Sequence, residues 1–367
     1  MLKLSEPHIP EKAIAKAVEV LKSGNLIQGK YVKEFELSLE NYLNIKHAIL
    51  VSSGTAALHV SLMALDIKRR DEVIVPAFTF PATANVVELV GAKPVYVDIN
   101  LGDFCIDSCK IEEVITEKTR IIMPVHEFGQ SAEMDKIIKI AEKYRLDILE
   151  DAACALGTEF NSQKVGTLGR VGCFSFHPRK AISTGEGGLV VTNDGILAEK
   201  VKSLRNHGAS LCNGKLDFIY AGLNYRMTDF QAVLGLYQLS GIEDIVSTRI
   251  KLAKKYNDRL SKIKWIKTPA IYENRKAIYQ TYHVIVDDFV DRDALIATLK
   301  TAGIETNLGA HALNCLTYFR NKYGYKPEDF PNARKAYMHG LALPIGNHCN
   351  DEDVDYIVET LKNKFGA

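Results

Sequence analysis

The chain opens a repeating pattern at HAILVS (47–52), a short apolar run followed at once by GTAALHVSLMAL (54–65), whose apolar residues recur at helical spacing. EVIVP then reads as a strand and PATANVVELVG as a helix closed by Gly91. PVYVDI precedes KIEEVITEKT, RIIMPV precedes MDKIIKIAEKYR, and LDILED leads into a loop, after which GCFSFH and GGLVVT read as further strands. Strands that are apolar on both faces, each returned by a helix, require a mostly parallel sheet covered on both sides. The fold class is therefore α/β.

From about Met227 the texture changes. MTDFQAVLGLYQL and STRIKLAKKYNDRLSKI read as consecutive helices, the second placed to bridge two domains. YHVIVDD (282–288) follows as a strand, then a helix DALIATLKTAG, a strand near GIETN and a last helix DEDVDYIVETLKNKF. At 367 residues the chain exceeds what one hydrophobic core usually serves. We divide it into a large domain, 1–245, and a small α/β domain, 246–367.

Charge removes several function classes. The 46 basic and 45 acidic residues leave a net charge of +1, with no footprint for nucleic acid. The seven cysteines form no CxxC pair and read as reduced thiols, which points to the cytoplasm. MLKLSEPHIPEKAIAK lacks an apolar signal core, and AILVSSGTAALHVSLMAL is broken by polar residues, so no membrane association is expected. His126-Glu127 lacks the second histidine of H-E-x-x-H, and no metal is expected.

Three segments end strands on the side where open α/β sheets bind ligands. In SSGTAAL (52–58), Gly54 permits a tight turn, and the N–H groups of Gly54, Thr55 and Ala56 open a helix, which suits phosphate; a plain N-cap uses the same residues. In ILEDAACALG (148–157), Asp151 at a strand end suits a cationic ring nitrogen, with Ala153 leaving room for a flat ring, although N-capping by aspartate is common. In FSFHPRKAISTGEGG (174–188), Lys180 lies near His177 and Arg179, cations that would weaken its hold on a proton and make it nucleophilic. Each signal alone is weak. In this order they outline a pocket for pyridoxal 5′-phosphate (PLP).

The chain resembles the DegT/DnrJ/EryC1/StrS family of sugar aminotransferases, fold-type I PLP enzymes. The resemblance runs nearly end to end, through GKYVKEFE, SSGTAAL, DEVIVPAFTFPATAN, VHEFGQSAEMD, EDAACALG, FSFHPRKAISTGEGG and NYRMTDFQAVLG. It implies a large domain with a mixed, mostly parallel sheet and a small C-terminal α/β domain. It makes Lys180 the residue joined to the cofactor's aldehyde, and Asp151 the partner of its ring N–H. Phe80 matches the aromatic stacked on the ring, and Gly54, Thr55 and Ser175 match phosphate ligands. Asn224 matches a residue reaching the phosphate held by the other subunit of a homodimer. Cys154 departs from the pattern, standing where many relatives have Gln or Glu. A thiol is a weak hydrogen-bonding substitute near the cofactor's phenolic oxygen, and Cys154 reads as a small buried thiol rather than a catalytic one.

The implied reaction is transamination from an amino acid, L-glutamate by resemblance, to a keto-sugar. That acceptor is expected to be a nucleotide-linked 3-keto or 4-keto sugar, with a free keto-sugar as the alternative. In GIETNLGAHALNCLTYF (303–319), His311, Asn314 and Tyr318 stand as candidates for sugar contact, with capping and packing as equal explanations. The family's dehydratase branch carries histidine at the lysine position, which Lys180 opposes. A nicotinamide dehydrogenase would need G-x-G-x-x-G after the first strand, and SSGTAAL does not supply it. A PLP-binding regulator without turnover would keep the same pocket.

Overall fold

The computed structural model describes residues 1–365. Its centre is a sheet of seven strands, β1 (His47–Val51), β2 (Glu72–Pro76), β3 (Lys93–Val97), β4 (Thr119–Ile122), β5 (Asp147–Asp151), β6 (Val171–Ser175) and β7 (Gly188–Thr192). Their spatial order is β1-β7-β6-β5-β4-β2-β3, and only β7 runs antiparallel to its neighbours. Alternation of side chains along each strand explains the apolar runs. Ile49, Val51, Val73, Val75 and Val190 enter one core, whereas Leu50, Ile74, Leu189 and Val191 enter the core on the opposite face.

Helices close both faces. α3 (Gly54–Ala64), α4 (Ala82–Leu89) and α6 (Gly195–Arg205) supply the first core, and α2 (Lys30–Leu43), α5 (Met134–Tyr144) and α7 (Asp229–Leu239) the second. α1 (Glu11–Ser23) packs on α7. The expected helix KIEEVITEKT is instead two short 3-10 turns, Ser108–Lys110 and Glu112–Val114. Asp107 caps the first turn, and the β-branched run Val114-Ile115-Thr116 disfavours continuation as a helix.

α8 (Ile242–Leu260) runs unbroken past position 245 and belongs to two cores. Its first turns bury Ile242, Ile245 and Val246 against the large sheet, and its later turns bury Leu252, Tyr256 and Leu260 in a third core. That third core also holds a small sheet of β8 (Ile266–Lys267), β9 (Tyr282–Val286) and β10 (Gly340–Leu343), with helices Arg292–Thr301 and Asp351–Phe365. The strand expected near GIETN is a single bridge, Ile304 to Leu2. Segment 310–336 turns back: His311–Ala312 pairs with Phe78–Thr79, and Leu313, Phe319 and Ala333 join the first large core.

One buried polar cluster fixes the end of β5. Glu150 is wholly buried and accepts from the N–H groups of Gly166, Leu168 and Gly169 at 2.7, 2.7 and 2.6 Å. His126 Nε2 lies 2.9 Å from the same carboxylate, and His126 Nδ1 accepts from Ala132 N–H, so Nε2 carries the proton. Glu150→Ala would strand these donors without water. We expect it to lower unfolding free energy by about 3 kcal/mol, read as a fall in the denaturant midpoint. An unchanged midpoint would contradict the anchoring role.

Candidate active site

A cavity of about 390 Å³ opens at the carboxyl ends of the parallel strands, a volume suited to a small-molecule ligand. Loops after β1, β2, β4, β5 and β6 form its floor, while Gln280, Asn307, Leu343 and Ile345 close it from the C-terminal side and Leu4 and Ser5 from the N-terminus. Gly54, Thr55, Phe80, Asp151, Cys154, Ser175 and Lys180 all line it.

At one end α3 begins. Ser53 Oγ caps it by accepting from Ala56 N–H at 3.0 Å, which leaves the first N–H groups, Gly54 and Thr55, at the cavity. A Cβ on Gly54 would stand 2.8 Å from Ser175 Cβ, so only glycine lets the helix start press against that hydroxyl. Two backbone donors, a serine hydroxyl and the positive helix end fit a phosphate.

At the other end lies Asp151, the last residue of β5. It is buried, with Thr83 Oγ1 donating to Oδ2 at 2.9 Å and Ala153 N–H to Oδ1 at 3.2 Å. Burial pushes its carboxyl up from the ordinary range, and these bonds with the nearby Lys180 charge oppose that rise. A protonated ring nitrogen is the cation such a half-satisfied, dry carboxylate suits.

Lys180 is half-buried in a turn closed by its own N–H to His177 O at 2.8 Å, and its Nζ reaches Cys154 Sγ at 3.0 Å. The expected cationic surroundings are not found. Arg179 is exposed, and burial lowers the His177 imidazole, favouring its neutral form. Burial likewise lowers Lys180, but Cys154, Glu127 and Asp151 outweigh it, and the ammonium is held above its ordinary value. The acids of this pocket therefore keep Lys180 charged until a ligand compensates them.

Of the other sequence candidates, Asn224, His311, Asn314 and Tyr318 fall outside the lining. Phe80 does line the cavity, yet its ring is 58% exposed. Asn224 is exposed, its backbone bridging Asn206. Asn314 is wholly buried and donates to the carbonyls of Lys326 and Pro327, a packing position in this chain. His311 rests against the Tyr337 ring, and Tyr318 is an exposed position on a short outer helix, Thr317–Tyr323, where it accepts from Lys322. Sequence reasoning missed Glu127, Thr79 and Thr83, all of which line the cavity. The pair His126-Glu127 was visible only as a broken metal motif, and among the described residues no cluster is arranged to hold a metal.

A lysine and a buried aspartate at the carboxyl edge of this sheet, facing a helix start fit for phosphate, define a fold-type I PLP enzyme. Comparison with known proteins agrees. The model of the DegT/DnrJ/EryC1/StrS aminotransferase family matches residues 7–362, and the chain belongs to that family. It is 35% identical over 336 residues to the GDP-perosamine synthase of Caulobacter vibrioides, covering 91% of this chain and 90% of that one. It is 34% identical to the UDP-4-amino-4-deoxy-L-arabinose–oxoglutarate aminotransferase of Shewanella sediminis, covering 100% and 98%. A Streptococcus pneumoniae protein assigned as a sugar aminotransferase, solved in its PLP form, superposes with a TM-score of 0.93 at 31% identity, covering 98% of this chain and 97% of that one. The protein is an aminotransferase that uses PLP.

Proposed function

We propose that this enzyme moves an amino group from L-glutamate to a keto-sugar carried on a nucleotide. The observation that carries the reading is the meeting of Lys180, Asp151 and the Gly54–Ser175 phosphate cradle in one cavity. Relatives named for GDP- and UDP-linked sugars support the nucleotide-sugar acceptor.

Bound PLP supplies the electron sink that stabilises a carbanion beside nitrogen. Asp151 would hold a proton on the ring nitrogen, which keeps that sink effective. Gly54 N–H, Thr55 N–H and the Ser175 hydroxyl would hold the phosphate. Phe80, which lines the cavity, would supply an aromatic contact to the cofactor ring. Lys180 Nζ, when free as an amine, would take the proton from the donor carbon and deliver it to the carbon on the other side of the donor nitrogen, as general base and then acid. Cys154, held as a neutral thiol because burial raises it, orients Lys180 rather than reacting. Leu343 and Ile345 shield the proton transfers from water.

The working unit we propose is a homodimer. Asn224 lies outside its own chain's cavity, as a residue serving a second copy would, and the hairpin Ala209–Phe218 exposes Leu211, Leu216 and Phe218. The seven free thiols suit the cytoplasm; among the described residues no helix is long and apolar enough to cross a membrane.

Glutamate is expected to bleach the yellow enzyme, and a nucleotide-linked keto-sugar to restore the colour. The test is a panel of GDP- and UDP-linked 3-keto and 4-keto sugars, with free keto-sugars beside them, added to the bleached form. Colour recovery with the free sugars alone, or with none of the panel, would overturn the proposed acceptor.

A further inference from the structure

Glu186 lines the cavity but is exposed, whereas Glu127 is a buried acid there that the reading above leaves without a task. It follows β4 in the stretch His126-Glu127-Phe128-Gly129 and is 4% exposed. Its Oε2 has no hydrogen-bond partner. An orphaned buried carboxyl oxygen beside a ligand cavity is costly unless a ligand completes it.

The backbone around Glu127 is tightly fixed. His126 N–H donates to Asp151 O at 3.0 Å, and Asp151 N–H donates to Pro124 O at 2.9 Å. Phe128 and Gly129 take left-handed φ values of 57° and 83°. A Cβ on Gly129 would stand 2.7 Å from the Ile278 side chain and 3.2 Å from Cys154 O. The turn carrying Glu127 is therefore pressed against the backbone of the residue whose thiol lies 3.0 Å from Lys180 Nζ.

We propose that Glu127 is a further cofactor-binding residue, its carboxylic acid donating a hydrogen bond through Oε2 to the phenolic oxygen of bound PLP. That oxygen is attached beside the carbon carrying the aldehyde, so it lies on the edge of the ring nearest Lys180 Nζ. Cys154 occupies the neighbourhood, but a thiol is a weak donor. Burial pushes the Glu127 carboxyl up to about 7, opposed by Lys180, Thr79 and Phe128 and assisted by Asp151. An anionic phenolic oxygen alongside would favour the protonated, donating form further.

This inference rests on Lys180 carrying the cofactor, and the experiment separates the two. Purified full-length holoenzyme is titrated with base while the visible absorption band of the Lys180-bound cofactor is followed, and PLP dissociation is measured in parallel. A wild-type protein lacking that band would sink the Lys180 reading itself. A donor to the phenolic oxygen makes the neighbouring nitrogen lose its proton more readily. Glu127→Leu is therefore expected to raise the midpoint by about one pH unit and weaken PLP binding about tenfold, each equivalent to roughly 1.4 kcal/mol. Glu127→Gln, which keeps an N–H donor, is expected to hold the wild-type midpoint. Cys154→Gln added to Glu127→Leu is expected to restore it, a rescue that loss of packing alone would not give. Should Glu127→Leu not fold, Glu127→Met gives the same reading. An unchanged midpoint in the apolar variant, or a Glu127→Gln shift as large as that of Glu127→Leu, would overturn the donor role.

Discussion

Lys180→Ala is expected to reduce kcat for the complete transamination by about 10⁴-fold or more, because it removes the group that would move the proton in both half-reactions. Lys180 is the only ammonium lining the cavity among the described residues, so no neighbour can take over at the same atoms. Fold stability should change little, since among the described residues Lys180 makes no ion pair and its side-chain bond is to the Cys154 thiol. PLP should still bind through the Gly54–Ser175 cradle but would be released by denaturation alone. A small amine such as methylamine should return part of the rate, since it supplies the missing base. Full turnover by the variant without added amine would contradict the assignment.

Asp151→Asn should cost on the order of 10³-fold in kcat. The amide keeps the shape of the carboxylate and the bond from Thr83 Oγ1, but it carries no negative charge to hold a proton on the ring nitrogen. The loss should fall on the chemical step rather than on cofactor affinity, because the phosphate end is untouched. Rapid mixing with glutamate checks this: the bleaching rate should fall by that factor while the amplitude at saturating donor survives. Wild-type bleaching in Asp151→Asn would show that some other group maintains the ring's charge.

Much of this architecture was legible in the sequence because it rests on local signals. Within HAILVS, EVIVP and LDILED the successive residues Ala48–Val51, Val73–Val75 and Ile148–Leu149 are apolar without alternation because both faces of β1, β2 and β5 are covered, and such strands returned by amphipathic helices have few other uses. Gly54 was legible for a related reason: a glycine opening a helix directly after a strand marks a close approach, here to Ser175. The antiparallel direction of β7 was not readable, because direction depends on how the chain crosses between strands and not on the residues of GLVVT. The bridge from Ile304 to Leu2 escaped for want of any local cue, its partners standing about 300 residues apart.

The site shows the same division. Lys180 and Asp151 end recognisable motifs, whereas Thr83 reaches Asp151 from the first turn of α4, 68 positions away in sequence. Glu150 and Asp151 are neighbours whose side chains leave β5 on opposite faces, so one anchors the Gly166–Gly169 loop and the other meets the cavity. Glu127 was obscured because His126-Glu127 was weighed only as an incomplete metal motif and set aside, whereas the fold pairs His126 with Glu150. The charge environment of Lys180 was misjudged for a similar reason. Its sequence neighbours His177 and Arg179 are not the groups that weigh most on its charge; Cys154, Glu127 and Asp151 are.

Reduction of the native enzyme with borohydride, followed by peptide mass mapping, tests most directly whether a vitamin B6 aldehyde is bonded to a single amine of this chain. One pyridoxyl adduct per subunit, on the peptide containing position 180, is the expected result. A label on any other side chain, or no label in an enzyme that is still active, would contradict the assignment on which the catalytic reading depends.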